Sequence, residues 1–210
     1  GKNNNIWAST SDNAQLTITS LLVTWGNLQY PASGTITQGG AFNVYGQVYQ
    51  GGITDSAGQG AGITAQVGYS TSNTNPNTWT NWVSASYNTD SGNNDEYVAE
   101  IGSSLTPGTY YYATRYQRTG STEYVYGGTG GIWNSDNGVL TVNPAAPVVT
   151  AGSPTGTYNT SFTYNIVASN SPTSYALSSG SFPPGLTLNT STGEISGTPT
   201  AAGSFTANVT

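Results

Sequence analysis

Short runs in which apolar and polar residues alternate recur along the chain. The clearest runs are residues 42–49, 63–69 and 97–101. A period of two over such lengths is typical of β-strands that bury one face. Clusters of Gly, Pro, Asn and Asp interrupt the runs every ~8–15 residues, a spacing typical of β-sandwiches. No stretch shows the 3.6-residue period of an amphipathic helix, so the pattern predicts an all-β fold.

A proline-rich connector divides the chain. Residues 143–147 carry Pro144 and Pro147 on either side of two alanines, a composition that makes a short, stiff, extended linker. We therefore predict one β-sandwich module at residues 21–144 and a second module at 145–210, whose last strand is cut short at Thr210. We expect residues 1–20 to be a separate strand segment ahead of both modules.

Residues 105–111 predict a corner between two strands. A Leu-x-Pro-Gly-Thr turn leads into a tyrosine-rich strand, as at the E–F corner of immunoglobulin-like and fibronectin-III sandwiches. At that corner a tyrosine hydroxyl bonds back to the backbone while its ring fills the core. Tyr110 and Tyr111 both fit this role, and the choice decides which face of the strand is buried.

The first residues of the chain resemble a later segment. Residues 6–9 and 12–18 match residues 132–135 and 136–142. We expect residues 1–20 to be either the end strand of a preceding repeat or a strand exchanged into a neighbouring chain. The apolar residues that would pack at such a repeat joint or exchanged strand are Ile6, Trp7, Leu16 and Ile18.

Charged residues are scarce, and most of them are acidic. The 210 residues carry a net charge of −6, and the only basic residues are Lys2, Arg115 and Arg118. That set cannot neutralise a nucleic-acid backbone or attract an anionic membrane, so we exclude nucleic acid as a partner. No apolar run approaches the ~18 residues that span a bilayer, which excludes membrane insertion.

The residue types also limit the chemistry. His and Cys are absent, which removes histidine-based triads, thiol nucleophiles and His-ligated zinc. A glycosidase-like carboxylate pair needs a cleft, and no cleft is indicated, so we predict that the chain is not an enzyme. The absence of Cys and Met and the near absence of Lys favour an extracellular location, because such a surface resists oxidation and offers few sites to trypsin-like proteases.

One acidic loop offers candidate calcium ligands. Carboxylate and amide oxygens, which calcium prefers, are supplied there by Asp90, Asn93, Asp95 and Glu96. The spacing does not match an EF-hand. The favoured alternative is that these side chains cap turn amides and that one acid pairs with Arg115 or Arg118, with Arg115 partly buried under tyrosine rings. We therefore expect no obligatory cofactor.

A tryptophan pair is the candidate glycan site. Sugar faces stack on aromatic rings, and their hydroxyls need amide and carboxylate partners. The residues that could supply both are Trp79, Trp82, Asn81 and Tyr69. In one regular strand Trp79 and Trp82 would lie on opposite faces, one in the core and one exposed. The alternative is that both anchor the core.

Both modules resemble families of bacterial proteins. Residues 21–144 resemble a β-sandwich module of secreted multidomain proteins of Bacteroidetes-type bacteria and, more distantly, the starch-binding modules of amylopullulanases. This resemblance is carried by residues 44–49, 52–55, 60–69, 92–97 and 108–116, with Trp79 and Trp82. Residues 147–210 resemble the putative-Ig, cadherin-like modules of bacterial surface proteins through residues 182–188, 191–199 and 202–205. Cadherin-style calcium motifs are missing.

These observations predict two tandem Ig/fibronectin-III-like β-sandwiches preceded by a strand segment. The function we expect is that of a non-catalytic extracellular segment of a larger bacterial surface, adhesion or filament protein, acting as spacer and contact surface. One alternative is an accessory module of a secreted enzyme that binds a carbohydrate resembling an α-glucan. Another is a self-assembling filament subunit that uses strand exchange. The expected partners are glycan, another surface protein, neighbouring repeats or copies of itself.

Overall fold

The computed structural model describes residues 21–210. The predicted joint residues Ile6, Trp7, Leu16 and Ile18 lie outside the described residues. The described part forms fifteen strands and one short 3₁₀ turn, which confirms the all-β prediction. It divides into two units, here called unit 1, which ends at Val142, and unit 2, which comprises Asn143–Thr210 with Thr37–Gly39.

Unit 1 contains ten strands and the 3₁₀ turn Pro76–Thr78. The strands are β1 (Trp25–Tyr30), β2 (Ser33–Thr37), β3 (Asn43–Tyr49), β4 (Ile63–Ser70), β5 (Asn81–Ser91), β6 (Asn94–Glu100), β7 (Gly108–Arg118), β8 (Val125–Gly128), β9 (Gly131–Ile132) and β10 (Gly138–Asn143). None of the helical structure in residues 21–210 has the length and hydrophobicity of a membrane span.

Strand β5 belongs to both sheets of unit 1. Its residues 81–85 pair with β4, and its residues 86–91 pair with β6. One sheet therefore has the order β1-β3-β6-β5, and the other continues β5-β4-β7-β10-β2, with β8 and β9 beside the far end of β7. Because β5 passes from one sheet into the other, the hydrogen-bonded strand pairing continues through both layers of the sandwich.

Strand β7 supplies the centre of the sandwich core. Alternate residues Tyr110, Tyr112, Thr114 and Tyr116 are buried, as the period of two requires for one face of a strand. The hydroxyls of Thr114 and Tyr116 both donate to the carbonyl of Asn27 on β1, at 2.9 and 2.8 Å. These bonds satisfy polar groups that would otherwise be costly to bury, and they tie β7 to the facing sheet.

Glycine at position 46 makes room for this contact. A Cβ there would lie 2.2 Å from the Tyr116 hydroxyl and 2.6 Å from Cγ2 of Thr114. The bulky ring of Tyr116 can therefore reach β1 only because β3 presents bare backbone at this point. The pairing of a large residue on one sheet with glycine on the other keeps the interior dense without overpacking.

The predicted corner precedes β7, and Tyr110 is the residue that closes it. Its hydroxyl donates to the carbonyl of Thr106 at 3.0 Å and lies 3.1 Å from the Thr106 hydroxyl. The Tyr110 ring is buried against Tyr69, with ring centroids 6.2 Å apart in an edge-to-face arrangement. Tyr111 faces the other side of the sheet, so the choice left open by the sequence falls on Tyr110.

Unit 2 contains five short strands in two sheets. They are β11 (Phe162–Asn165), β12 (Leu177–Gly180), β13 (Leu186–Leu188), β14 (Glu194–Gly197) and β15 (Ala207–Val209). The larger sheet has the order β11-β14-β13, and the smaller pairs β12 with β15. The turn before β14 needs Gly193, which has a φ of 73° and lies under the ring of Tyr175, where a Cβ would come within 2.7 Å.

We predict that Tyr110→Phe destabilises the chain by ~1 kcal/mol, because it removes the corner hydrogen bond and leaves a part-buried carbonyl unsatisfied. Urea unfolding monitored by tryptophan fluorescence measures this change. Tyr111→Phe is the matched control, since it removes a hydroxyl from the outward face of the same strand. Equal losses for the two variants would contradict the assignment of the corner to Tyr110.

Candidate functional site

A row of polar and aromatic side chains crosses four strands on the outer face of unit 1. The strand register places Ser84 beside Gln66, Gln66 beside Arg115, and Arg115 beside Tyr126. These residues alternate with core residues along their own strands, so they face away from the interior. The row lies at the end of β7 opposite the tyrosine corner.

Arg115 is the centre of this surface. Its guanidinium carbon lies 3.9 Å from the centroid of the Trp82 ring and 4.0 Å from that of Tyr124. Its Nε donates to the side-chain oxygen of Gln66 at 2.8 Å. The cation is thus held between two aromatic rings, in contacts worth ~0.5–2 kcal/mol each, and its Nε bonds to an amide rather than to a carboxylate. We call Trp82, Arg115, Tyr124 and Tyr126 the aromatic cluster.

Trp82 lies flat against the sheet within the cluster. A Cβ on Gly68 would come within 2.7 Å of the Trp82 ring, so glycine at this position lets the indole approach the β4 backbone. The Trp82 Nε1–H donates to the carbonyl of Trp79 at 3.0 Å. The Trp82 ring centroid lies 5.9 Å from that of Tyr126, which completes a stack of partly exposed rings.

Trp79 is buried and packs against Trp82. It is only 8% exposed, its Nε1–H donates to the Thr74 hydroxyl at 3.0 Å, and its ring lies 6.2 Å from that of Trp82. The two tryptophans do not lie on opposite faces of one strand, because Trp79 caps the 3₁₀ turn and β5 begins only at Asn81. One indole is therefore buried and the other half-exposed, but they are side by side.

The structure separates the other two residues of the predicted glycan site from Trp82. Tyr69 and Asn81 are cross-strand partners on the face of the sheet that carries the core. Tyr69 packs against the core beside Tyr110, and Asn81 is exposed at the first position of β5. Of the four residues expected in the site, Trp82 alone belongs to the aromatic cluster, and Trp79 lies behind it.

Sequence reasoning missed Gln66, Tyr124 and Tyr126. The alternation Tyr124-Val125-Tyr126 was a usable signal, because it places two tyrosines on one face of a short strand. The contact of that strand with Arg115 depends on the register of pairing between β7 and β8, which the sequence alone does not predict. Beside Tyr124 lies a shallow cavity of about 350 Å³ lined partly by the polar residues Gln59, Thr64, Gln66 and Ser84.

The acidic loop does not converge on one point. Asp90 accepts from the Tyr87 hydroxyl at 2.6 Å and from Gly58 N–H at 2.9 Å, and Asp95 accepts from Gly60 N–H at 2.7 Å. Glu96 accepts from Asn88 and, as the neighbour of Asp95 in β6, points to the other face of the sheet. Within residues 21–210, no three acidic, histidine or cysteine side chains are placed to hold a metal ion.

The Asn93 side chain does not join this set either. Asn93 is exposed, and its backbone carbonyl accepts from the Thr54 hydroxyl at 2.9 Å. The hydrogen bonds to the carboxylates of Asp90, Asp95 and Glu96 come from the backbone amides of Gly58 and Gly60 in the β3–β4 loop and from the side chains of Tyr87 and Asn88 in β5. The three carboxylates thus act as local hydrogen-bond acceptors.

Asp95 has an unusual electrostatic position. It is fully buried, and its Oδ1 has no hydrogen-bond partner among the described residues. Burial raises the pKa of its carboxyl, and the charge of Asp90, its cross-strand partner, acts in the same direction. The hydrogen bond from Gly60 opposes the shift. By contrast, the bond from Tyr87 and that from Gly58 hold the pKa of Asp90 below its usual value.

Comparison with known proteins confirms the resemblance to putative Ig modules and the distant resemblance to amylopullulanases. Residues 139–210 match the family model "Putative Ig domain". The chain is 29% identical over 119 residues to an amylopullulanase of Thermoanaerobacter thermohydrosulfuricus. That match covers 48% of this chain and 8% of the amylopullulanase, so the chain spans less than a tenth of that relative.

Among solved structures, the chain is similar to a cycloalternan-forming enzyme of Listeria monocytogenes in complex with a pentasaccharide substrate. The identity is 18% and the TM-score 0.33, over 71% of this chain and 12% of the enzyme. An uncharacterised protein of Listeria monocytogenes EGD-e, solved with glucose, magnesium and calcium, matches at the same identity and TM-score, over 67% and 11% of the two chains.

We predict that Asp95 makes the chain less stable as the pH rises. A carboxyl whose folded pKa exceeds its unfolded value of ~3.9 favours folding when protonated, and that contribution is lost as the pH rises through the folded pKa. Asp95→Asn should therefore raise the unfolding free energy more at pH 7 than at pH 4. Asp90 acts in a separate window, because a lowered pKa affects stability only below about pH 4.

Urea unfolding at pH 4, 5.5 and 7 tests this prediction. Glu123→Gln, which removes an exposed carboxylate, is the reference with which the pH profile of Asp95→Asn is compared. An effect of Asp95→Asn that is the same at all three pH values would show that burial of the charge does not influence stability.

Proposed function

We propose that this chain is a non-catalytic glycan-contacting segment of a larger extracellular protein, and that the aromatic cluster is its contact surface. The observation that carries the proposal is the part-exposed stack of Trp82, Arg115 and Tyr124 beside a cavity lined partly by amides and hydroxyls. The β4 backbone and Arg115 cover the Trp82 ring. The partly exposed rings of Tyr124 and Tyr126 therefore offer the stacking surfaces for the apolar faces of sugars, and the polar part of the lining offers partners for their hydroxyls.

The way the cluster is built supports a binding role. Arg115 and the backbone at Gly68 hold Trp82 in one orientation, so little side-chain entropy remains to be lost when a ligand binds. The scarcity of charge over the whole chain suits a neutral polymer better than an anionic one. The amylopullulanase relative supports an α-glucan as the first ligand to test.

A second role, as a spacer in a bacterial surface or adhesion protein, is favoured by the organisation of the chain. We infer two tandem Ig-like sandwiches, at residues 21–144 and 145–210, joined through Pro144 and Pro147. The Ig-like match of the C-terminal part supports this inference, and the scarcity of Lys and absence of Cys support an extracellular location. This role requires no ligand at the aromatic cluster.

We expect the chain to bind maltoheptaose, and Tyr126→Ala to weaken that binding about tenfold. One ring contact of ~0.5–1.5 kcal/mol corresponds at its upper end to a factor of ten in affinity. Isothermal titration calorimetry measures the change, and thermal unfolding checks that the variant remains folded.

The control variant is Tyr30→Ala. Tyr30 is a 46% exposed tyrosine that stacks on Tyr45 outside the cluster, with ring centroids 4.4 Å apart. Unchanged affinity in Tyr30→Ala with weakened affinity in Tyr126→Ala supports the proposed surface. Equal losses of affinity in the two variants would refute the proposed surface. A lack of binding by the unaltered chain at ~10 mM sugar, which corresponds to an affinity too weak for specific recognition, would also refute it and leave the spacer role.

A further inference from the structure

The cavity beside Tyr124 lies where β5 leaves β4. The two strands pair only as far as Ala65 and Ala85, and the pairing of β5 passes to β6 at Ser86. The cavity of about 350 Å³ is lined partly by apolar and aromatic residues, among them Ala65, Ala85 and Tyr97, and partly by polar ones. An apolar lining with a few polar groups is typical of sites that hold a small ligand.

Gln59 brings a side-chain amide to this cavity from the β3–β4 loop. It is an exposed residue that lines the cavity, and its Nε2 donates to the Tyr97 hydroxyl at 3.3 Å. This bond is long, so a ligand hydroxyl can replace it at little cost. Gln66 lines the same cavity from β4. Amides from two segments thus reach one space, and an amide supplies both the donors and the acceptor that sugar hydroxyls need.

The residues on either side of Gln59 are glycines held by the β5–β6 hairpin. The Gly58 N–H donates to Asp90 Oδ2 at 2.9 Å, and the Gly60 N–H donates to Asp95 Oδ2 at 2.7 Å. Asp90 and Asp95 are cross-strand partners, so their side chains lie beside each other on one face of the hairpin. The two bonds therefore fix the backbone immediately before and immediately after Gln59.

The two glycines are required by the local geometry. Gly58 has a φ of 87°, in the left-handed region that favours glycine. A Cβ on Gly60 would lie 3.0 Å from Asp95 Oδ2, so glycine lets the loop backbone approach the carboxylate closely. A third bond runs from the Thr54 hydroxyl to the carbonyl of Asn93 at 2.9 Å. The β3–β4 loop is therefore attached to the hairpin at three points.

The attachment at Gly60 has a cost in stability. Asp95 is fully buried, and its Oδ1 has no hydrogen-bond partner among the described residues. Burial of a carboxylate beside a second carboxylate, here that of Asp90, disfavours the charged form. Groups whose burial costs stability are typical of functional sites, where a fixed geometry is needed. The geometry that these two carboxylates fix is that of Gln59.

We propose that the cavity beside Tyr124 holds one sugar unit of the bound glycan and that the side-chain amide of Gln59 bonds to the hydroxyls of that unit. Asp90 and Asp95 position Gln59 for this contact. The inference rests on the proposed function of the aromatic cluster, and it gives the acidic loop a role in binding. The two carboxylates do not touch the sugar. They act through Gln59, because a residue that is already in place has less conformational entropy to lose on binding.

Titration calorimetry with maltoheptaose tests the contact. Gln59→Ala should weaken binding about fivefold, because it removes one hydrogen bond. Asp90→Ala should weaken binding about threefold by releasing the loop, and it should cause no further loss in the Gln59→Ala background. Such non-additivity is expected of a residue that acts through another. Asp95→Ala, whose folding is checked by thermal unfolding, should follow the same pattern.

The matched control is Asp55→Ala. Asp55 is an exposed acid of the same loop, and its carboxylate accepts from the Gly52 N–H at 3.0 Å. The control therefore removes the same charge and a similar bond away from Gln59, and it should leave the affinity unchanged. Equal losses in Asp90→Ala and Asp55→Ala would overturn the positioning role, as would an Asp90→Ala loss that persists in full in the Gln59→Ala background.

Amide hydrogen exchange, followed by NMR in the free chain, gives a readout that requires no ligand. Asp90→Ala should speed exchange at Gly58 because it removes the acceptor of that amide, whereas Asp55→Ala should not. Unchanged exchange at Gly58 in Asp90→Ala would show that the carboxylate does not hold the loop, which overturns the inference.

The binding data separate this inference from the proposed function. If the unaltered chain binds maltoheptaose and Tyr126→Ala weakens the binding, but Gln59→Ala binds as well as the unaltered chain, the inference is wrong and the proposed function stands. If the unaltered chain binds no maltoheptaose, both are wrong. Weakened binding in both Tyr126→Ala and Gln59→Ala, with the non-additive effect of Asp90→Ala, supports both.

Discussion

The two faces of strand β7 determine both the core of unit 1 and its candidate binding surface. Tyr110, Tyr112, Thr114 and Tyr116 point inward and Arg115 points outward, so a slip of one residue would exchange them. Three hydroxyl groups prevent that slip, since Tyr110 is bonded to the corner backbone and Thr114 and Tyr116 are bonded to Asn27. The aromatic cluster is positioned by the same register that fills the core.

Because the chain has few basic residues, its carboxylates and Arg115 bond mainly to uncharged partners. Arg115 contacts two rings and an amide, and the loop carboxylates accept mostly from backbone amides. Glu100 illustrates the balance: partial burial acts to raise its pKa, but hydrogen bonds from Ser103, Phe42 and Gly102 outweigh this and lower it. Within residues 21–210, local hydrogen bonds thus stabilise the carboxylates without an ion pair to Arg115. The Arg115 guanidinium is therefore available to contact the aromatic rings on the outer face of unit 1.

The sequence predicted the fold class better than it predicted the site. Alternation in β3, β4 and β6 was readable because one face of each strand is buried along its length. The turn before β7 identified the corner but not which tyrosine closes it, because that depends on which face packs inward. The tryptophan pair was found as a candidate site, although the sequence left open which ring is exposed, whereas the neighbours of Trp82 come from β7 and β8, whose register is set by long-range pairing. Tyr69 was misplaced on Trp82's surface because sequence spacing alone does not show which strands bring which faces together.

The central claim is that a glycan contacts the aromatic cluster on the outer face of unit 1. The most direct measurement follows the indole N–H signals of the five tryptophans by NMR while maltoheptaose is added, with each signal assigned by substitution. The account predicts that the Trp82 signal shifts progressively, that the signal of its neighbour Trp79 follows weakly, and that the signal of Trp25 stays fixed. A fixed Trp82 signal at saturating sugar, or a shift confined to Trp25, would contradict it.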